Sequence, residues 1–283
     1  MNLWYAIVDL LPFEWAEPGK MLFMKNALLA ILVISPLFGL LSTMVVEKKM
    51  SFFSDALGHS AFTGIAAGTL AGFADPSWCA VALAICFALL FTWVSERTNL
   101  ASDTIIGVFS STAVALGIFL STIGGRSFTK FNTFLVGDIL SVTPGKISLL
   151  AIILLLILLL WLGSINQLTL SAIHPALARS RGIRMWQQEA LFNCAVAVVV
   201  TLTMTWVGLL VINSLLILPG ATARNVSGNL RQYTGVSLLM AVFAGISGLL
   251  VSYYIGASAG ASITLILALC FAATFCFRGK TAS

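Results

Sequence analysis

One of the chain's two histidines, His59, follows an aspartate by four positions within Ser51-Phe-Phe-Ser-Asp55-Ala-Leu-Gly-His59-Ser-Ala-Phe-Thr-Gly-Ile-Ala-Ala-Gly68. On a helix this spacing puts both side chains on one face, one turn apart, so a carboxylate oxygen and an imidazole nitrogen can approach one cation together. Ionisable groups inside a membrane are costly, which makes them functional candidates. The alternative is structural: Asp55 caps a helix beginning near Ser54, and His59 is a hydrogen-bonded interior residue.

Composition says what surrounds the pair. Of 283 residues, 59% are hydrophobic and 9% charged, with a mean hydropathy of +1.04. Soluble domains carry about 25% charged residues, so the chain is expected to be an all-α polytopic membrane protein, a single transmembrane domain over 1–283. Its formal charge of +5 reflects basic residues in short loops, where they set orientation in a membrane and imply no nucleic-acid partner. Asp9, Glu14 and Glu17 precede Lys20, the first basic residue, which argues against a cleavable signal. The five cysteines lie in apolar segments without a C-x-x-C pair and read as small packing residues.

Residues 1–20 are aromatic and acidic, fitting an interfacial segment. Spans are expected over Met21–Val46, the Asp55/His59 segment to about Phe73, Trp78–Val94, Ile105–Ile123 and Ile147–Leu162, the last rich enough in Leu and Ile to face lipid. A short element, Phe131–Leu140, carries Asp138 and is too short to cross. A polar stretch over 164–188 holds Arg179, Arg181 and Arg184. Ala190–Pro219 would reach about 45 Å as a helix and is interrupted by Thr201, Thr203, Thr205 and Gly208, so it reads as two short spans meeting near Trp206. Gly235–Tyr254 and Ala261–Phe277 follow. The total is nine spans, some short or broken, or eight if 190–219 is a single tilted helix.

Charge favours nine. With the amino terminus outside and the carboxy terminus cytoplasmic, ten of the 15 basic residues lie inside, including Lys48, Arg97, Arg181 and Lys280, against five outside. Gly64, Gly68 and Gly72 form a small-residue stripe beside the Asp55/His59 face that permits close helix approach. Gly279-Lys-Thr281 has the end of a phosphate-binding loop, but Thr274 stands where its first glycine is needed. No nucleophile–base motif occurs, and no enzyme activity is expected of this chain.

Ser54-Asp-Ala-Leu-Gly-His59-Ser resembles the signature after the first span in permease subunits of zinc and manganese ABC importers. Ser102-Asp-Thr-Ile-Ile-Gly107, Phe134-Leu-Val-Gly-Asp-Ile-Leu140, Ser214-Leu-Leu-Ile-Leu-Pro-Gly-Ala-Thr-Ala-Arg224, and Ser252-Tyr-Tyr followed by Ala259-Gly-Ala-Ser262 continue the match in family order. The resemblance implies a permease homodimer in a bacterial plasma (inner) membrane, with cytoplasmic ABC ATPase subunits and an extracytoplasmic metal-binding protein. It implies ATP on the partner subunit, no permanently bound cofactor, and Zn2+ or Mn2+ as the transported ion. Asp55 and His59 match the family's metal-path motif. His174-Pro-Ala-Leu-Ala-Arg-Ser-Arg-Gly182 matches the helix that docks in the ATPase, with His174 in place of an acid and with Pro175, Ala178, Arg179 and Gly182 as docking candidates.

Asp103 fits a helix cap, Asp138 a cap or a secondary pathway position, and Arg224 an inner-leaflet anchor. Two copies would supply two carboxylates and two imidazoles, four N/O donors that place zinc slightly ahead of manganese. The rival reading is a secondary cation transporter working without an ATPase, with Asp55 and Asp138 coupling the ions.

Overall fold

The first long apolar run folds as one helix and becomes the hub of the molecule. A computed structural model describes residues 2–9, 14–19, 21–98, 100–123 and 137–281. Among them are eleven helices, two 3-10 turns and no strand: α1 Asn2–Val8, α2 Leu22–Glu47, α3 Phe53–Leu70, α4 Ser77–Arg97, α5 Ser102–Ile123, α6 Pro144–Ile173, α7 Pro175–Ser180, α8 Met185–Val207, α9 Leu209–Val226, α10 Leu230–Ile255 and α11 Ala259–Thr281. Arg126, Lys130 and residues 131–136 of the expected short element lie outside the described residues.

Eight of these helices (α2, α4, α5, α6, α8, α9, α10 and α11) are long and apolar enough to cross a membrane. α3, at 18 residues, is as long as α9 but carries Ser, Asp, His and Thr among its apolar positions. It packs against α4, α5, α8 and α9, which shield it from lipid. α2 packs against α6, α9 and α10, and lipid is left mainly to helices such as α6, whose Leu155, Leu156, Leu159 and Leu162 are exposed.

The run 190–219 belongs to two helices, broken at Gly208 with φ 90°. Gly137, itself at φ 60°, lies directly against the backbone of Val207 and Gly208 and leaves no room for a Cβ. α6 extends beyond its expected end, so residues 164–173 form its last turns rather than part of a polar loop. α9 contains Pro219, which removes one helical donor. The hydroxyl of Ser42 on α2 accepts the next donor, the Gly220 N–H, at 2.8 Å. A Cβ at Gly220 would lie 2.7 Å from the Ser42 carbonyl, so the Pro-Gly pair marks the close approach of α9 to α2.

The amino-terminal segment is tied to α2. Lys25, 1% exposed, pairs with Asp9 and donates to the Glu17 carbonyl at 3.0 Å. Trp4 Nε1 donates to the Lys25 carbonyl at 3.1 Å, and the Tyr5 hydroxyl to Asn26 Oδ1 at 2.9 Å.

Gly64 and Gly68 of the glycine stripe lie against α4. A Cβ at Gly64 would lie 2.6 Å from Ala80 Cα, and one at Gly68 would lie 3.0 Å from the Cys79 side chain. Gly72 does not share this role. α3 has already ended, Gly72 adopts φ 77°, and a Cβ there would meet open space, with no atom within 4 Å. It closes the helix, with Gly72 N–H donating to the Thr69 carbonyl and Phe73 N–H to that of Gly68. Gly64→Val therefore meets backbone that cannot yield and should destabilise by about 3 kcal/mol, whereas Gly72→Asn should cost about 1 kcal/mol or less. Unfolding midpoints in detergent check both, and equal losses would contradict the assignment.

Candidate metal pathway and docking site

α2 ends in a tight turn that fixes where α3 begins. Lys49 takes a left-handed φ of 55°, its N–H donates to the Val46 carbonyl, and Met50 N–H donates to that of Val45. Met50 is buried, and Phe53 opens α3 between the rings of Phe87 and Phe91 on α4, at 6.0 and 5.1 Å. Asp55 thus falls in the first turn of α3 and His59 one turn later.

His59 Nε2 lies 3.4 Å from Asp55 Oδ2, with the side chains 19% and 41% exposed respectively. That separation exceeds the usual span of a strong N–H···O bond. It matches the spacing of two donor atoms sharing a tetrahedral zinc ion, about 3.3–3.6 Å at ordinary ligand distances. The two side chains are thus close neighbours on one face of α3, and both are partly exposed.

A third group joins them. Asn213 on α9 donates through Nδ2 to Asp55 Oδ1 at 3.4 Å. Its carbonyl oxygen is buried and has no hydrogen-bond partner among the described residues, a state that costs about 1–3 kcal/mol. Sequence reasoning missed Asn213. The available signal was an amide within the otherwise apolar run 209–218, whose other polar residue, Ser214, bonds its own helix backbone.

Asp138 has a local job. It precedes the 3-10 turn Ile139–Ser141, is exposed, and accepts the Leu140 N–H at 3.0 Å. Asp103 sits exposed in the first turn of α5, where a carboxylate complements the helix dipole. Arg224 lies 3.8 Å from Glu47 at the end of α2.

The docking candidates form a separate feature. Pro175 is the first residue of α7, and the His174 side chain makes no capping bond. Ala178 is buried, while Pro175, Arg179 and Gly182 are exposed. Gly182, at φ 74°, donates its N–H to the Arg179 carbonyl at 3.0 Å, and Ile183 donates to that of Ala178 at 3.1 Å. The short helix is thus anchored by one side chain, presented by the rest, and closed at a position suited to glycine.

Behind it lies a polar cavity of about 430 Å3 whose lining includes Lys48, Glu96, Ser102, Arg179, Glu189 and Asn193. Lys48 pairs with Glu189, and Asn193 Nδ2 donates to Thr92 at 2.9 Å. The ends of α2, α4 and α6 and the starts of α5 and α8 therefore meet on one side. Asp75, Trp78 and Trp206 line a different cavity of about 310 Å3.

Similarity to known proteins extends over nearly the whole chain. The family model described as the ABC 3 transport family matches residues 20–278. The high-affinity zinc uptake system membrane protein ZnuB of Haemophilus influenzae is 28% identical over 245 residues, covering 87% of this chain and 94% of that protein. The manganese import system permease protein ScaB of Streptococcus gordonii is 28% identical over 258 residues, covering 91% and 92%. Among solved structures, PsaBC from Streptococcus pneumoniae in complex with Fab is 27% identical with a TM-score of 0.76, covering 97% of this chain and 95% of that one. With eight helices able to span a membrane and a family match over 20–278, this chain belongs to the ABC 3 transport family.

Proposed function

We propose that the chain is the permease subunit of an ATP-driven importer for a divalent transition-metal cation, with Asp55 and His59 contacting the ion in transit. The observation that carries this reading is their 3.4 Å separation on a helix enclosed by four others. The zinc- and manganese-system relatives support the same substrate class. Two copies facing one another would provide two carboxylates and two imidazoles, a four-donor set that suits zinc and places it slightly ahead of manganese. An incomplete site within each copy also suits passage, since an ion held tightly would not leave. ATP would be hydrolysed on partner ABC subunits seated against α7, and an extracytoplasmic metal-binding protein would deliver the ion to the opposite face. Membership of an ABC transport family leaves the rival secondary-transporter reading without a supporting feature.

The orientation proposed puts the amino terminus outside and Lys48, Arg97, Arg181 and Lys280 on the cytoplasmic side, opposite Asp75. Impermeant thiol labelling of single cysteines, introduced into a chain whose native cysteines are replaced, should reach position 75 from outside and position 181 only after permeabilisation. Labelling of position 181 in intact cells would reverse the assignment.

Gly182→Trp should leave the permease in the membrane but reduce metal-stimulated ATP turnover by about tenfold or more, because bulk and strain fall on the presented end of α7. Gly182→Asn, which tolerates the left-handed backbone, should keep most of the turnover. Full coupling in the Trp variant would move the contact elsewhere.

Asp55→Asn and His59→Ala should each lower Zn2+ or Mn2+ uptake by about a hundredfold at normal protein level, and the double variant should be little worse because both serve one ion. Uptake of the radioactive metals by cells with this permease as the sole route checks it. Near-full uptake by either well-expressed single variant would reject the pair as the metal contact.

A further inference from the structure

We propose that Asn213 is a third ligand to the travelling cation and that its amide oxygen improves passage of the oxygen-preferring ion, Mn2+, relative to Zn2+. This inference rests on the reading of Asp55 and His59 as the metal contact and adds a donor from a different helix. Asp55 is bracketed, with His59 Nε2 3.4 Å from one carboxylate oxygen and Asn213 Nδ2 3.4 Å from the other. Both separations match the edge of a metal coordination shell, about 3.3–3.6 Å around zinc.

The amide is held there by packing. Gly58, three residues after Asp55, admits the side chain of Leu209, whose Cδ2 would lie 2.6 Å from a Cβ at that position. Leu209 is one helical turn before Asn213, so this contact presses the same face of α9 against α3. Without a cation, the Asn213 NH2 group faces the negative Asp55 carboxylate and its carbonyl oxygen has no donor among the described residues. Half a turn of the side-chain amide exchanges those atoms and brings the oxygen to the position now held by Nδ2. A divalent cation at Asp55 would favour that exchange, because it attracts the carbonyl oxygen and repels the NH2 group.

The consequence is chemical selectivity. Two copies would then offer two carboxylate oxygens, two amide oxygens and two imidazole nitrogens. Carboxylate and carbonyl donors suit manganese, and imidazole suits zinc, so the amide broadens a set that the Asp/His pair alone tilts towards zinc.

The test measures Mn2+ and Zn2+ uptake separately by the whole importer, with permease abundance matched, for wild type, Asn213→Leu, Asn213→Asp and Asp55→Asn. Asn213→Leu is expected to lower Mn2+ uptake by about tenfold and Zn2+ uptake by about threefold, while Asn213→Asp, which keeps an oxygen donor, should retain the wild-type Mn2+/Zn2+ ratio or raise it. A purely structural role for Asn213 would lower both metals together. An unchanged Mn2+/Zn2+ ratio in Asn213→Leu, alongside loss of transport in Asp55→Asn, would overturn the role of Asn213 and leave the Asp/His contact standing. Normal transport by Asp55→Asn would instead remove the metal contact itself, and this inference with it.

Discussion

A carboxylate and an imidazole within a membrane domain must be surrounded by protein rather than lipid, and much of the packing follows from that requirement. α3 carries both groups and is shielded by α4, α5, α8 and α9. Such enclosure needs close approach, which Gly64 and Gly68 allow on the α4 side and Gly117 of α5 allows against Thr63 and Phe62. Thr63 also uses its hydroxyl across the interface, donating to the Ala113 carbonyl at 2.6 Å. The enclosed helix can therefore be polar while its neighbours supply the apolar exterior.

The irregular positions of the fold serve the same arrangement. The break at Gly208 lets α9 start beside α3 instead of continuing the line of α8, and Gly137 fills the close space at the break. Further along α9, Pro219 removes a backbone donor and Ser42 of α2 receives the neighbouring N–H of Gly220. The hub helix thereby stabilises the helix that presents Asn213 to Asp55. Similar chain chemistry closes α7, where Gly182 allows the chain to leave a six-residue helix anchored by buried Ala178.

Long helices and their order were legible because hydropathy records burial in lipid directly. The division of 190–219 was also legible, since its threonines and Gly208 interrupt one apolar run, and the helices meet at Gly208, just beyond the expected point at Trp206. The Asp55/His59 pair was readable because both residues lie on one helix, where spacing specifies a shared face. Asn213 was not, because its relation to Asp55 spans 158 positions and depends on how two helices pack. Nor was the pairing of buried Lys25 with Asp9, which depends on how the amino-terminal segment folds back onto α2. Gly72 shows a different limit: regular four-residue spacing continues past the end of a helix, and only the backbone reveals that the stripe has stopped.

The enclosure of α3 also orders events during synthesis. Its neighbours α4 and α5 follow at once in the chain, but α8 begins only at Met185 and α9 at Leu209. About 115 residues separate the end of α3 at Leu70 from the start of α8, and at translation rates of about 5–20 residues per second that interval lasts roughly 6–23 seconds. During this interval the polar face of the nascent helix has only part of its final cover. A newborn chain must therefore keep Asp55 and His59 near water, the insertion machinery or another polar surface until its second half arrives, making the interval a point of vulnerability to quality-control proteases.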